Sequence, residues 1–284
     1  MSKIITTSIK NQLLSKTGMK FSNKYIQKHI VPIIKFIIYK KKNKFLLSGS
    51  QGIGKSTLVD ILEYTIEKFY HKKVMAISLD NYYLSKKQRV KLSKSIHPLF
   101  ITRGVPGTHN IKRLKADIEK FQHSKFPIYT PIFDKLNDNK AQRKKKYSKA
   151  DILILEGWCC GAKPIIKNYL HKDINMLEKN KDKNKIWRNY YNNKLKNEYT
   201  QLFNMFDKTI FLKAPSFNHV LKWRHKQEKM NKLKLINQKK MNTKKLIQFI
   251  QYYEKITKWM LKTLPSKTDL LVKIDKKQRI TSIN

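Results

Sequence analysis

Apolar residues follow two rhythms along this chain. Short unbroken runs read as strands buried on both faces: Phe45 to Leu47, Val74 to Leu79, Asp151 to Trp158 (DILILEGW), Thr209 to Leu212, and LLVKID near the C-terminus. Between them the spacing becomes helical, as in STLVDILEYTIEKF, where Leu58, Ile61, Leu62 and Ile66 share one face. KKQRVKLSKSI, IKRLKADIEKF with Asn110 as its cap, FNHVLKWRHKQEKM and TKKLIQFIQYYEKITKWML predict further helices. IVPIIKFII, residues 30–38, predicts a packed helix before the first strand. FPIYTPIFDK predicts a short extended segment, Leu136 to Lys149 a polar surface loop, and residues 168–205 a charged helical region without obvious chemistry. Strands separated by helices imply an α/β fold: a three-layer α/β/α sandwich on a mainly parallel sheet, with functional groups at the C-terminal strand ends.

Composition sets the bounds. With 284 residues and 40% hydrophobic content the chain can bury a sizeable core, and a single domain over 1–284 is expected, residues 1–20 forming a flexible or helical extension. The apolar stretch at 30–38 is interrupted by Pro32 and Lys35 and is far shorter than the ~20 residues of a membrane span. No long apolar signal core opens the chain, so a cytoplasmic protein without a membrane partner is expected. Cys159 and Cys160 are adjacent, which suits neither a disulfide framework nor a cysteine metal site, and predicts buried thiols. The net charge of +44 suggests nucleic acid, but lysines are scattered through KKKNK at 40–44, RKKK at 143–146 and KNKDKNK at 179–185. Asn and Ile are abundant too, the composition of a chain under A/T-rich codons. No basic motif interleaved with aromatics appears, so no specific nucleic-acid partner is expected.

Three of the chain's 8 glycines, Gly49, Gly52 and Gly54, surround one lysine in FLLSGSQGIGKSTLVDIL. The order is strand, glycine loop, helix, and the pattern is G-x-x-x-x-G-K-S. Such a loop turns successive N–H groups inward around a phosphate, and the helix start adds partial positive charge. Gly49, Ser50, Gln51, Gly52, Ile53, Gly54, Lys55, Ser56 and Thr57 are therefore the expected nucleotide-binding residues. Lys55 would reach the β and γ phosphates of ATP, and the Ser56 hydroxyl would ligate Mg²⁺.

Two acids sit at strand ends on the same side as this loop. Asp80 closes the second strand and is expected to orient an acceptor hydroxyl and take its proton; Glu156 is expected on the metal side. Each could instead be an ordinary strand-end acid or helix cap.

GSQGIGKSTL, SLDNYYLS, RGVPGTHN, FDK, ILEGWCCG, WRHKQE and YYEKITKWML, in that order, resemble the D-glycerate 3-kinase family, relatives of the phosphoribulokinase and uridine kinase group of P-loop kinases. The likeness spans roughly residues 30–280, and RGxPGTH and LEGW are its discriminating parts. It implies transfer of the ATP γ-phosphoryl group to a hydroxyl of D-glycerate, giving phosphoglycerate and ADP, with ATP and Mg²⁺ required. The family's aspartate after the second strand matches Asp80. Its acids at the next position and after PGTH are Asn81 and Asn110 here, replacements that keep size and a capping oxygen but lose charge. Within RGVPGTHN, Arg103 can grip a carboxylate of a small hydroxy acid, and Thr108 and His109 can hydrogen-bond its hydroxyls. Asp134 of FDK is as readily a turn residue. The helix bearing Lys222, Arg224, Gln227 and Glu228 resembles the family's lid, from which Arg224 would stabilise charge on the β and γ phosphates. Trp223, Tyr252, Tyr253 and Trp259 suit helix packing. Alternative acceptors are a nucleoside or a pantothenate-like compound; the alternative class is an ATP-binding regulator or nucleic-acid-associated protein.

Overall fold

A computed structural model describes residues 3–39, 43–234 and 243–284, the side chains of 227–234 and 243–246 excepted. Helices α1 (Lys3–Thr17), α2 (Asn23–His29) and α3 (Val31–Ile38) precede β1 (Lys44–Gly49), α4 (Lys55–Tyr70) and β2 (Val74–Ser78). A single 3₁₀ turn, Leu79–Tyr82, then leads to α5 (Lys86–Ser95), α6 (Ile111–Gln122), β3 (Ile128–Asp134), β4 (Asn139–Tyr147) and β5 (Ile152–Gly157). The second half runs α7 (Lys167–His171), α8 (Met176–Lys181), α9 (Ile186–Lys194), α10 (Thr200–Phe203), β6 (Lys208–Lys213), α11 (Phe217–Lys234), α12 (Thr243–Thr263), β7 (Leu270–Ile274) and β8 (Ile280–Ile283).

The main sheet has the order β2-β5-β1-β6-β7-β8, parallel except for the antiparallel β8. Its strands are apolar on both faces because both are covered. Phe45 and Leu47 of β1 face a core built with α1 to α4, while Leu46 faces another built with α6 and the 158–203 helical region. This is the three-layer sandwich that the alternation of runs implies. The register sets Ser78 of β2 against Glu156 of β5, and Ser48 of β1 against Gly157, so three strand ends finish side by side.

Two elements depart from the sequence reading. The polar stretch after Leu136 is not a loop: β4 pairs antiparallel with β3 as a separate two-stranded ribbon. Every β4 residue but Tyr147 is at least partly exposed, so no apolar alternation marks it, and cross-strand backbone bonds alone define it. LLVKID is likewise not the last strand, since a short turn at Asp275 returns the chain as β8. Within 168–205, Arg188 is fully buried and pairs with Asp182 at 2.8 Å and Asp173 at 2.7 Å, while Glu178 holds Lys255 of α12 at 3.2 Å. The charged region is thus tied internally to the helix that closes over the sheet.

Candidate active site

The loop joining β1 to α4 is shaped for an anion. Lys55 opens α4, and its Nζ folds back 3.0 Å from the Ser50 carbonyl, spanning the loop. Gly52 has φ +73°, and a Cβ there would lie 3.2 Å from Cβ of Trp223, so α11 passes directly over the loop. Gln278, in the turn before β8, donates to the Gly52 carbonyl from the other side. The buried hydroxyls of Ser48 and Ser50 and the Gln51 amide have no hydrogen-bond partner among the described residues. Such unmet polar groups beside a glycine loop at a helix N-terminus are what a bound anion could satisfy.

Beside the loop opens a cavity of about 380 Å³. Its lining includes Lys55, Ser56 and Thr57 together with the aromatic Phe21, Tyr25 and Trp223, a size and mixture of groups that a nucleotide could use. Phe21 and Tyr25 belong to the segment around α2. The aromatic wall therefore comes largely from residues that precede the first strand.

Asp80 lies on the 3₁₀ turn beyond β2. Its carboxylate accepts from the Tyr83 hydroxyl at 3.0 Å and from Lys135 Nζ at 2.9 Å. Burial works against ionisation here, but the charge and hydrogen bond of Lys135, aided by Lys55, hold the carboxyl at about 2. Glu156 has the opposite fate. It is 9% exposed, and burial pushes its carboxyl above the ordinary range despite the opposing charge of Lys55, with Asp80 adding to the rise. One lysine thus acts on both carboxyls, whose environments separate them into a firmly ionised group and one that gains from a nearby cation.

The RGVPGTHN loop is braced from three sides. A Cβ on Gly104, at φ +144°, would fall 2.4 Å from the Tyr253 hydroxyl, which itself donates to the Arg103 carbonyl at 3.0 Å. Trp158 donates its indole N–H to the Gly104 carbonyl at 3.1 Å. The buried Thr108 hydroxyl accepts from Gly104 N at 3.0 Å and donates to Val105 O at 2.7 Å, so it holds the loop's shape rather than facing outward. Arg103 pairs with the carboxylate of Asp138 and lies 5.3 Å over the Phe133 ring. His109 stacks on Tyr83 with ring centroids 4.3 Å apart and places Nδ1 2.5 Å from the Tyr199 hydroxyl. Burial lowers its pKa to about 3, the charge of Asp80 opposing, so the ring is neutral.

No protein-family model matches the chain. The uncharacterised kinase mug58 of Schizosaccharomyces pombe is 29% identical over 79% of this chain and 83% of its own. The probable ATP-dependent kinase TDA10 of Saccharomyces cerevisiae is 29% identical over 56% of this chain and 60% of its own. Among solved structures, the YGR205w protein superposes with TM-score 0.71 at 23% identity, covering 100% of this chain and 98% of that one. A D-glycerate 3-kinase from Cryptococcus neoformans superposes with TM-score 0.70 at 21% identity, covering 100% and 99%. The chain shares the fold of these structures, and the curated proteins it resembles are kinases.

In this chain the loop after β1, Asp80, Glu156 and the Arg103 loop converge at one end of the sheet. Arg224, on the helix crossing the phosphate loop, sits 5.9 Å over the Phe249 ring of α12; the side chains of Gln227 and Glu228 lie outside the described residues. Asn81 accepts from Phe133 N at 3.2 Å, anchoring β3, and Asn110 caps α6 by accepting from Arg113 N at 3.0 Å. Asp134 closes the β3–β4 turn through Leu136 and Asn137 N–H groups, away from any reacting role. Tyr83, Lys135, Tyr199, Tyr253 and Gln278 all touch the site's frame, although the sequence assigned none of them a role in the chemistry. Tyr83, Lys135 and Tyr253 carried a signal, lying within SLDNYYLS, FDK and YYEKITKWML, while Tyr199 and Gln278 carried none; the tyrosines look like packing aromatics until the chain is folded.

Proposed function

We propose that this kinase transfers the γ-phosphoryl group of ATP to a hydroxyl of D-glycerate, giving phosphoglycerate and ADP. The observation that carries the acceptor is Arg103: its guanidinium, beside the Asp80 crevice, already grips a carboxylate, that of Asp138. A small hydroxy acid offers the same group, and Asp138, which Arg89 also holds at 2.8 Å, keeps a cationic partner if it yields Arg103. The likeness to the Cryptococcus D-glycerate 3-kinase over the whole chain supports the same choice.

The reading assigns the nucleotide to the 380 Å³ cavity, phosphates on the loop and base against Phe21, Tyr25 and Trp223. The acceptor oxygen forms its new bond to the γ-phosphorus as the bond to the β–γ bridging oxygen breaks, and the hydroxyl proton passes to Asp80. A carboxyl held near 2 is a weak base, so Asp80 serves first to orient the hydroxyl, which suits a loose transition state in which the proton leaves late. Lys55 follows the charge that accumulates on the β–γ oxygens, and Arg224 adds to it when the helix above closes. Mg²⁺ fits the donors: the Ser56 hydroxyl on the first turn of α4 and the buried, cation-seeking Glu156 are hard oxygens. When bound it would neutralise phosphate charge, with Ser56 and Glu156 as the residues that would hold it.

A coupled assay of ADP release across D-glycerate, other hydroxy acids, nucleosides, pantothenate and DNA tests this. Turnover that depends on D-glycerate is expected. Turnover with a nucleoside or pantothenate alone would reassign the acceptor, and DNA-stimulated turnover without any small acceptor would overturn the kinase reading.

A further inference from the structure

One buried tyrosine in the helical region reaches the loop that the proposed function assigns to the acceptor. Tyr199, wholly buried, ends a π-helical turn at 195–199 and directs its hydroxyl at two groups of that loop. The Gly107 N–H donates to it at 3.1 Å, and His109 Nδ1 lies 2.5 Å away. The hydroxyl has one proton, and no other acceptor is paired with it among the described residues. Leaving that proton unspent in a dry interior would be costly, so it goes to Nδ1. A neutral imidazole that accepts at Nδ1 carries its own hydrogen at Nε2.

The other ring nitrogen is then defined. The two nitrogens point in divergent directions, so Nε2–H faces away from Tyr199, and it has no partner among the described residues although the ring is 4% exposed. On the ring's face lies Tyr83, whose hydroxyl donates to Asp80. An N–H donor, buried and unsatisfied, thus waits one stacked ring away from the carboxylate assigned to the acceptor hydroxyl. Burial keeps the ring from charging, so it presents a dipole and not a cation.

We propose that Tyr199 is a positioning residue that locks His109 as the Nε2–H tautomer, so that His109 offers a neutral hydrogen-bond donor to an oxygen of the acceptor substrate. The role of His109 toward the acceptor rests on the kinase reading above; the tautomer does not. A neutral donor discriminates by chemistry as well as shape. It rewards an acceptor oxygen at that point and leaves an analogue lacking it facing a buried, unpaired N–H.

Two measurements separate these parts. Nitrogen-15 NMR of histidine-labelled protein without ligands, with the His109 signals assigned by loss in His109→Gln, should show a protonated Nε2 and an unprotonated Nδ1. Tyr199→Phe, which keeps the ring and removes the proton, should mix the tautomers. An Nδ1–H or doubly protonated His109 in the wild-type protein would overturn the proposal even if D-glycerate turns over. With whichever acceptor the substrate panel identifies, Tyr199→Phe should raise its KM about tenfold, the loss of one hydrogen bond, with kcat falling less and the KM for ATP unmoved. His109→Gln can still offer an amide N–H there, so adding Tyr199→Phe to it should change the acceptor KM little. An equal rise from Tyr199→Phe in both backgrounds would show that the tyrosine only packs, and would sink the idea.

Discussion

Asp80→Asn isolates the group on which the chemistry turns. Asparagine keeps an oxygen for the Tyr83 hydroxyl but neither takes a proton nor pairs with Lys135. The expected result is a fall in kcat of about 10²–10⁴, the range for a lost acid–base group, with ATP affinity by calorimetry nearly unchanged. Turnover that survives would remove Asp80 from its role. His109 gives a second measurement, of stability against pH. Its folded pKa of about 3 lies below the ordinary 6.5, so below 6.5 the unfolded chain takes a proton that the fold refuses. Stability from this group is full above 6.5 and is lost as pH falls toward 3. By pH 5 the wild type should lose about 2 kcal/mol more than His109→Gln in urea unfolding, and parallel losses would show the ring to be charged or exposed in the fold. Asp80 was legible in the sequence because it ends an apolar run. The setting of His109 was not, because Tyr199 meets it from 90 positions away.

At the level of elements, what could be read followed the apolar rhythm. Each strand flanked by covering helices, and each helix with one apolar face, announces itself, which is why β1, β5 and α4 fall where the runs of FLL, ILIL and the Leu58–Ile66 stripe place them. β4 and β8 lack that signal: one is a lysine-rich ribbon strand, the other four residues on a sheet edge. The contribution of the segment before β1 to the nucleotide cavity was equally hidden, since Phe21 and Tyr25 acquire that meaning only once α2 lies beside the phosphate loop. The element most open to test is the Arg103 loop, pinned by α12 through Tyr253. Gly104→Ala forces a methyl to within 2.4 Å of the Tyr253 hydroxyl at a backbone angle alanine avoids. The loop must shift, so the acceptor KM should rise by an order of magnitude or so, the cost of misplacing a binding group, while ATP affinity holds because the phosphate loop is untouched. If both constants stay at wild-type values, the loop does not bind the acceptor.

For the molecule as a whole, 63 basic residues face 19 acidic ones, so most cations have no carboxylate to pair with, whatever the fold. The acids are partly spent inside, as in the Arg188 cluster. A surface field of one sign has two consequences that salt moves in opposite directions. Self-repulsion destabilises the compact state, and screening relieves it, since the Debye length falls from about 30 Å at 0.01 M to about 8 Å at 0.15 M. The same field gathers ATP and a hydroxy acid, both anionic, and screening weakens that attraction. Raising NaCl from about 10 to about 200 mM should therefore increase Tm while lowering kcat/KM for ATP, and another monovalent chloride at equal ionic strength should act alike. A melting temperature that stays flat or falls would mean that the lysines are spaced widely enough not to feel one another. In that case a salt effect on kcat/KM would have to arise locally, from Lys55 and the phosphate loop, and the salt dependence of ATP affinity, read by calorimetry, should disappear in Lys55→Met.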